Sequence, residues 1–141
     1  MPLSYKIEFT VQPSLEDVKT LTRGINDDSL ERGVVSAVEP FAFFMRDEQG
    51  NIIAGCNGHL IYGAIYTGQL WVSDTLRGQK IGTHLMEKVY QYGRENRCQI
   101  ATLRTMSFQA RPFYEKLGYT MRYEEKGYIG GHSLCYFVKD L

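Results

Sequence analysis

Neither sign of charge is in excess in this sequence, where 16 lysines and arginines face 16 aspartates and glutamates. That balance excludes a global field that would gather nucleic acid, so any anion site must be built locally. Cysteine is scarce. Cys56, Cys98 and Cys135 are odd in number and widely spaced, which excludes a disulfide framework and paired metal ligands and reads as core thiols in a reducing compartment. No run approaches the ~20 apolar residues of a membrane span, and "MPLSYKIEFTV" has no charged-then-apolar leader. The expectation is therefore a cytoplasmic protein with no membrane and no nucleic-acid partner. Internal repeats and low-complexity linkers are also missing. With 141 residues, 43% of them hydrophobic, one domain over residues 1–141 can bury a real core.

Periodicity supplies the elements. "YKIEFTV" (Tyr5 to Val11) alternates apolar and polar residues and predicts a strand. Pro13 and Ser14 stop it; Ser14 and Asp17 begin a helix through Leu15, Val18, Leu21 and Ile25, ending near Gly24. Residues 26–39 read as a loop or short second helix where a lid could sit. "FAFFMR", "DEQGN" and "IIAGCNGHLIY" predict a hairpin. "AIYTGQLWV" is a further strand running into "LRGQKIGTHLMEKV", whose Leu85, Met86, Val89 and Tyr90 form a helical stripe lasting to about Asn96. "QIATLRTM" is a strand and "QARPFYEKLG" a short helix with Pro112 in its first turn and Gly118 at its stop. "YTMRYEEK" and "SLCYFVKD" close the chain around the loop "GYIGGH". If "SLCYFVKD" lies at a sheet edge, it offers a homodimer by strand pairing.

The order strand, "VSDTLRGQKIG", long helix, strand, "SFQARPFYEKLGY", closing hairpin resembles the Gcn5-related N-acetyltransferase (GNAT) superfamily over essentially the whole chain. Arg77 and Gly82 match its phosphate-loop pattern, Gln/Arg-x-x-Gly-x-Gly/Ala, while Lys80 stands at the usual first glycine. The loop tolerates Lys80 if that residue keeps an ordinary φ. Ala110 followed by "FYEKLGY" is the second and more specific signature. The resemblance implies an α/β (α+β) fold: a mixed, mostly antiparallel sheet of about seven strands, splayed at a central bulge and flanked by about four helices.

It implies further that an acetyl group passes from acetyl-CoA to an amine by direct attack through a tetrahedral intermediate. Backbone N–H groups of Gly78, Gln79, Lys80, Ile81, Gly82 and Thr83 would cradle the pyrophosphate at a helix start, with Arg77 and Lys80 adding charge. Pantetheine would bond to Leu70, Trp71 and Val72 like an added strand, and a bulge near Leu70 would aim an N–H at the thioester oxygen. Tyr114 matches the family's general acid for the departing thiolate. Ser107 stands where the family has an asparagine contacting the cofactor, and it also reads as N-cap of the short helix.

An ammonium with pKa near ~10 must lose a proton before attack. The positions that carry family carboxylates are Gln69 and Thr102, neither a useful base. His132, after two glycines in the closing loop, is the candidate base; His59, Glu39 and a water chain are alternatives, and His84 reads as a solvated neighbour of the cofactor. Nothing supplies a three-ligand metal site. Near-neutral charge and the absence of a spare docking segment favour a small-molecule amine as acceptor. The competing reading is a module that holds acetyl-CoA as a sensor without transferring it. A nucleotide switch is excluded, because "RGQKIGTH" lacks the Gly-Lys-Ser/Thr of a Walker loop.

Overall fold

The structure is a computed structural model of the chain that describes residues 4–34 and 38–141. They fall into two compact units, within Met1–Val35 and Ser36–Leu141. The first contains α1 (Leu15–Glu31), capped as expected by the Ser14 hydroxyl, which accepts the Asp17 N–H at 3.1 Å. The helix passes through Gly24 rather than ending there. A lone glycine costs a helix only about 1 kcal/mol, and the residues after it keep the turn, with Ser29 Oγ donating to the Ile25 carbonyl at 3.0 Å. The segment from residue 26, expected as a loop or a short second helix, therefore begins as a continuation of α1. Residues 5–11 form no strand. Alternation makes a strand only where another strand supplies partners, and the described residues of this unit contain none.

The second unit holds β1 (Glu39–Arg46), β2 (Ile52–Ile61), β3 (Ala64–Val72), α2 (Ile81–Glu95), β4 (Ile100–Met106), α3 (Arg111–Lys116), β5 (Thr120–Glu125) and β6 (Leu134–Asp140). Among the described residues six strands, where about seven were expected, form a sheet of order β1-β2-β3-β4-β6-β5, and three α-helices stand where about four were expected. Among the described residues only β3 and β4 run parallel, with α2 as the crossover between them. The fold is the mixed, mostly antiparallel α/β class expected. β6 is not an edge: it pairs with β4 on one side and β5 on the other. The hairpin folds its second strand inward, which leaves β1 and β5 as the outermost strands of the sheet.

Leu85, Met86, Val89, Tyr90 and Gly93 of α2 are buried on one sheet face with Cys56, Ile65, Ala101, Leu103, Cys135 and Phe137. Each large side chain so buried stabilises the unit by roughly 1.5–3 kcal/mol. All three cysteines are free and buried.

One irregularity shapes the sheet. Asn57 pairs with Gln69 and Gly58 with Thr67, which leaves Gly68 as an extra residue on β3. The phase of β3 flips there: Ile65 and Thr67 are buried before it, Leu70 and Val72 half-buried after it. The expected bulge is thus real but lies at Gly68, two residues before Leu70. Gly58 opposite has no room for a side chain, since a Cβ there would stand 1.7 Å from the Tyr66 carbonyl oxygen.

Candidate functional site

Pairing between β3 and β4 runs only from Ala64–Ile100 to Thr67–Leu103. Beyond it the two strands part. Leu70, Trp71 and Val72 still pair with β2, but their β4-side edge has no strand partner among the described residues. At the last paired rung the Thr67 hydroxyl is buried without a hydrogen-bond partner, a polar group that a ligand entering the gap could satisfy.

The chain leaves Val72 through a 3₁₀ turn at Asp74–Leu76 and reaches α2 by way of Gly78 at φ 81° and Lys80 at φ 60°, ψ 23°. Lys80 does not keep an ordinary φ. It adopts the left-handed conformation that glycine takes most easily, at a cost of about 1–2 kcal/mol for an L-residue, so the loop has the glycine-bearing shape with a lysine in it. The first main-chain bond of α2 is His84 N–H to the Lys80 carbonyl at 3.0 Å. Consequently the N–H groups from Gly78 to Thr83 find no acceptor among the described residues. No acidic side chain occupies the first turn of α2, so the positive end of its dipole is uncompensated. Lys80 makes no ion pair among the described residues, whereas Arg77 is shared with Asp74 at 2.9 Å and its Nε leans on the Val72 carbonyl at 3.4 Å.

These pieces line one groove of about 540 Å³, bounded by Leu70, Trp71 and Val72, by Arg77, Gly78 and Lys80 to Thr83, and by Ala110 and Phe113. Its size is that of a ligand site. Ten of the eleven expected cofactor contacts lie in or beside it: Gln79 is in the loop but not in the groove wall, and Ser107 is elsewhere. A Cβ on Gly82 would meet the Phe113 ring at 3.3 Å, so this glycine lets α2 and α3 approach at the wall of the groove.

Tyr114 of α3 is 8% exposed, its ring against Phe113, Tyr119 and Phe137. Burial, and secondarily the nearby Cys56 thiol, push its phenol above the ordinary value. Tyr114 itself is not in the wall of the groove, which this segment meets through Ala110 and Phe113. Its hydroxyl is protonated at neutral pH.

Ser107 does not cap α3, whose N-cap is Ala110. Its hydroxyl instead accepts the Ser133 N–H at 3.0 Å and stands 3.5 Å from His132 Nδ1, while its own N–H donates to the Ser133 carbonyl at 2.8 Å. The two expected residues Ser107 and His132 therefore meet, and His132 lines a second pocket with Phe108. His59 and Gln69 line a third groove at the bulge, where Asn57 Nδ2 donates to Gln69 Oε1 at 3.0 Å. Among the described residues no group of three or more His, Cys, Asp or Glu could hold a metal, and no helix is long and apolar enough to cross a membrane. Thr67 and Phe108 escaped sequence reading; the only signal for Thr67 was a hydroxyl at a core-facing strand position.

Residues 9–119 match the acetyltransferase (GNAT) family. The chain is 29% identical over 105 residues to blasticidin-S acetyltransferase of Streptomyces morookaense, covering 74% of this chain and 77% of that one. It superposes on the crystal structure of an acetyltransferase from Bacillus cereus ATCC 14579 with a TM-score of 0.75 and 27% identity, over 97% and 98% of the two chains. A structure from Bacillus anthracis str. Ames in complex with acetyl coenzyme A shares the fold, with a TM-score of 0.65 and 16% identity over 78% of this chain and 67% of that one. The chain belongs to the GNAT acetyltransferase family and is an acyltransferase enzyme.

Proposed function

We propose that the protein moves an acetyl group from acetyl-CoA to the amine of a small molecule, within one acetyltransferase domain over residues 1–141. The observation that supports this reading is the row of N–H groups at the start of α2 that have no partner among the described residues, on the same groove as the β3 edge that likewise has none there. A diphosphate suits that row, because it accepts several N–H bonds at once and sits on the positive end of the helix. Leu70, Trp71 and Val72 offer strand-like bonds to the amides of a pantetheine arm. Acetyl-CoA enters as a substrate, and the relative that acts on blasticidin S supports a small-molecule acceptor.

In the transfer the amine attacks the thioester carbonyl, the C–S bond breaks, and the sulfur takes a proton from the Tyr114 hydroxyl. His132 accepts the proton that the amine must lose, and the two side chains exchange protons with solvent before the next turnover. Ser107 holds the imidazole through Nδ1, and Nε2 is the nitrogen left for the proton.

Titration calorimetry with desulfo-coenzyme A and with pantetheine tests the donor site. Desulfo-coenzyme A is expected to bind at least about 100-fold more tightly, since loss of charge-assisted phosphate bonds at 1.5–3 kcal/mol each removes most of the affinity. Equal binding of the two would overturn the phosphate cradle. Tight donor binding without thiol release for any amine would favour the sensor reading, which the amides at the bulge support because Gln69 occupies a family carboxylate position.

A further inference from the structure

The pocket of about 420 Å³ that His132 lines is bounded by Met106, Phe108, Tyr128 and Ile129, and none of these four carries a charge. Phe108 and His132 meet edge to face at 4.6 Å between ring centroids. Tyr128 is fixed from behind, its hydroxyl donating to Glu125 Oε1 at 2.5 Å, and Ser107 holds His132. Two ring walls are thus tied in place before any ligand arrives, which lowers the ordering cost of binding. Phe108 itself is 61% exposed and Ile129 94% exposed. A large apolar surface left open on prepared walls points to a ligand.

The pocket and the donor groove each take a wall residue from one short turn. Phe108 stands in the wall of the pocket and Ala110, two residues on, stands in the wall of the donor groove, so their Cα atoms are at most about 7 Å apart. We infer that this pocket seats the non-reacting body of the acceptor, and that the body is a flat aromatic or heteroaromatic ring on a short chain bearing the primary amine. The inference rests on the transfer reading given above. Rings stack or meet edge to face with Phe108, Tyr128 and His132, and Met106 adds a polarisable thioether at the ring edge. A cationic body would find no counter-charge in the lining.

The test compares 2-phenylethylamine and tryptamine with 2-cyclohexylethylamine and n-hexylamine as acceptors, by thiol release at saturating acetyl-CoA. The flat-ring amines are expected to show KM values about tenfold below the saturated ones, the size of one or two good ring contacts. Phe108→Ala should erase that difference and Phe108→Tyr should keep it, with desulfo-coenzyme A affinity unchanged in both. Calorimetry of N-acetyltryptamine against the coenzyme A complex reads the same contact without turnover, and Phe108→Ala should weaken it about tenfold. Similar KM values for flat and saturated amines, a preference that survives Phe108→Ala, or no measurable binding of N-acetyltryptamine would overturn the inference. Donor affinity separates the two failures: if desulfo-coenzyme A binds normally while ring preference is absent, only the acceptor pocket is wrong.

Discussion

Lys80 carries two opposed effects in one residue: a left-handed backbone that disfavours any side chain, and a cation in the wall of the proposed donor groove with no ion-pair partner among the described residues. Lys80→Gly separates them. Relief of the left-handed cost, less the extra entropy of glycine in the unfolded chain, should raise stability by up to about 1 kcal/mol. Loss of an exposed charge should weaken desulfo-coenzyme A about two- to fivefold. Thermal melts and calorimetry should therefore move in opposite directions, and a variant that lost both would refute the assigned loop shape. Tyr90 and Tyr119 make a second residue-scale test. Their hydroxyls are buried without a hydrogen bond of regular geometry, and burial pushes Tyr90 up to about 12 and Tyr119 higher still. Folded values above the unfolded ~10 mean that the stabilisation is complete below pH ~10 and is lost as pH rises through 10 to 12. Urea melts at pH 8 and 11 should show that loss, and Tyr119→Phe should reduce it while leaving pH 8 stability equal or up to about 1 kcal/mol higher.

At the scale of elements, the bulge in β3 is the feature that turns a continuous sheet into one with an open edge at Leu70–Val72. It depends on Gly58, where a Cβ would lie 1.7 Å from the Tyr66 carbonyl oxygen. Gly58→Ala is expected to cost about 3 kcal/mol or more, read as a fall in the urea midpoint, and a parent-like midpoint would show that the two strands do not approach so closely. Local pattern made β1 to β6, α2 and α3 legible, because each has its own period and its own stop signals. What pattern could not show was pairing. The alternation of residues 5–11 says nothing about whether a partner strand exists, and the alternation of "SLCYFVKD" is the same for an edge strand as for the interior strand β6 proves to be. Gly24 looks like a stop because glycine often ends helices, yet without a second breaker α1 continues to Glu31. The bulge was legible only as a resemblance, two residues from its place at Gly68.

For the whole molecule, the family match runs over residues 9–119, and the second unit contains the strands, loop and helices that line the donor groove. Much of the candidate site was legible because the loop and the Ala110-to-Tyr119 segment lie in short windows of sequence. The meeting of Ser107 with His132, 25 residues apart, was not, because a hydrogen bond across two loops leaves no periodic trace. In the proposed transfer, donation of a proton to the departing sulfur falls to Tyr114. Its direct test is thiol release from acetyl-CoA by the parent and by Tyr114→Phe, with the best acceptor found and both substrates saturating. The ring packing against Tyr119 and Phe137 survives that change, so the variant should stay folded and hold the donor as before. If the hydroxyl is the acid, kcat falls by about 10²–10⁴-fold, and because burial raises the phenol the parent's high-pH limb lies above the ordinary ~10. A Tyr114→Phe enzyme that turns over at the parent rate would contradict the claim.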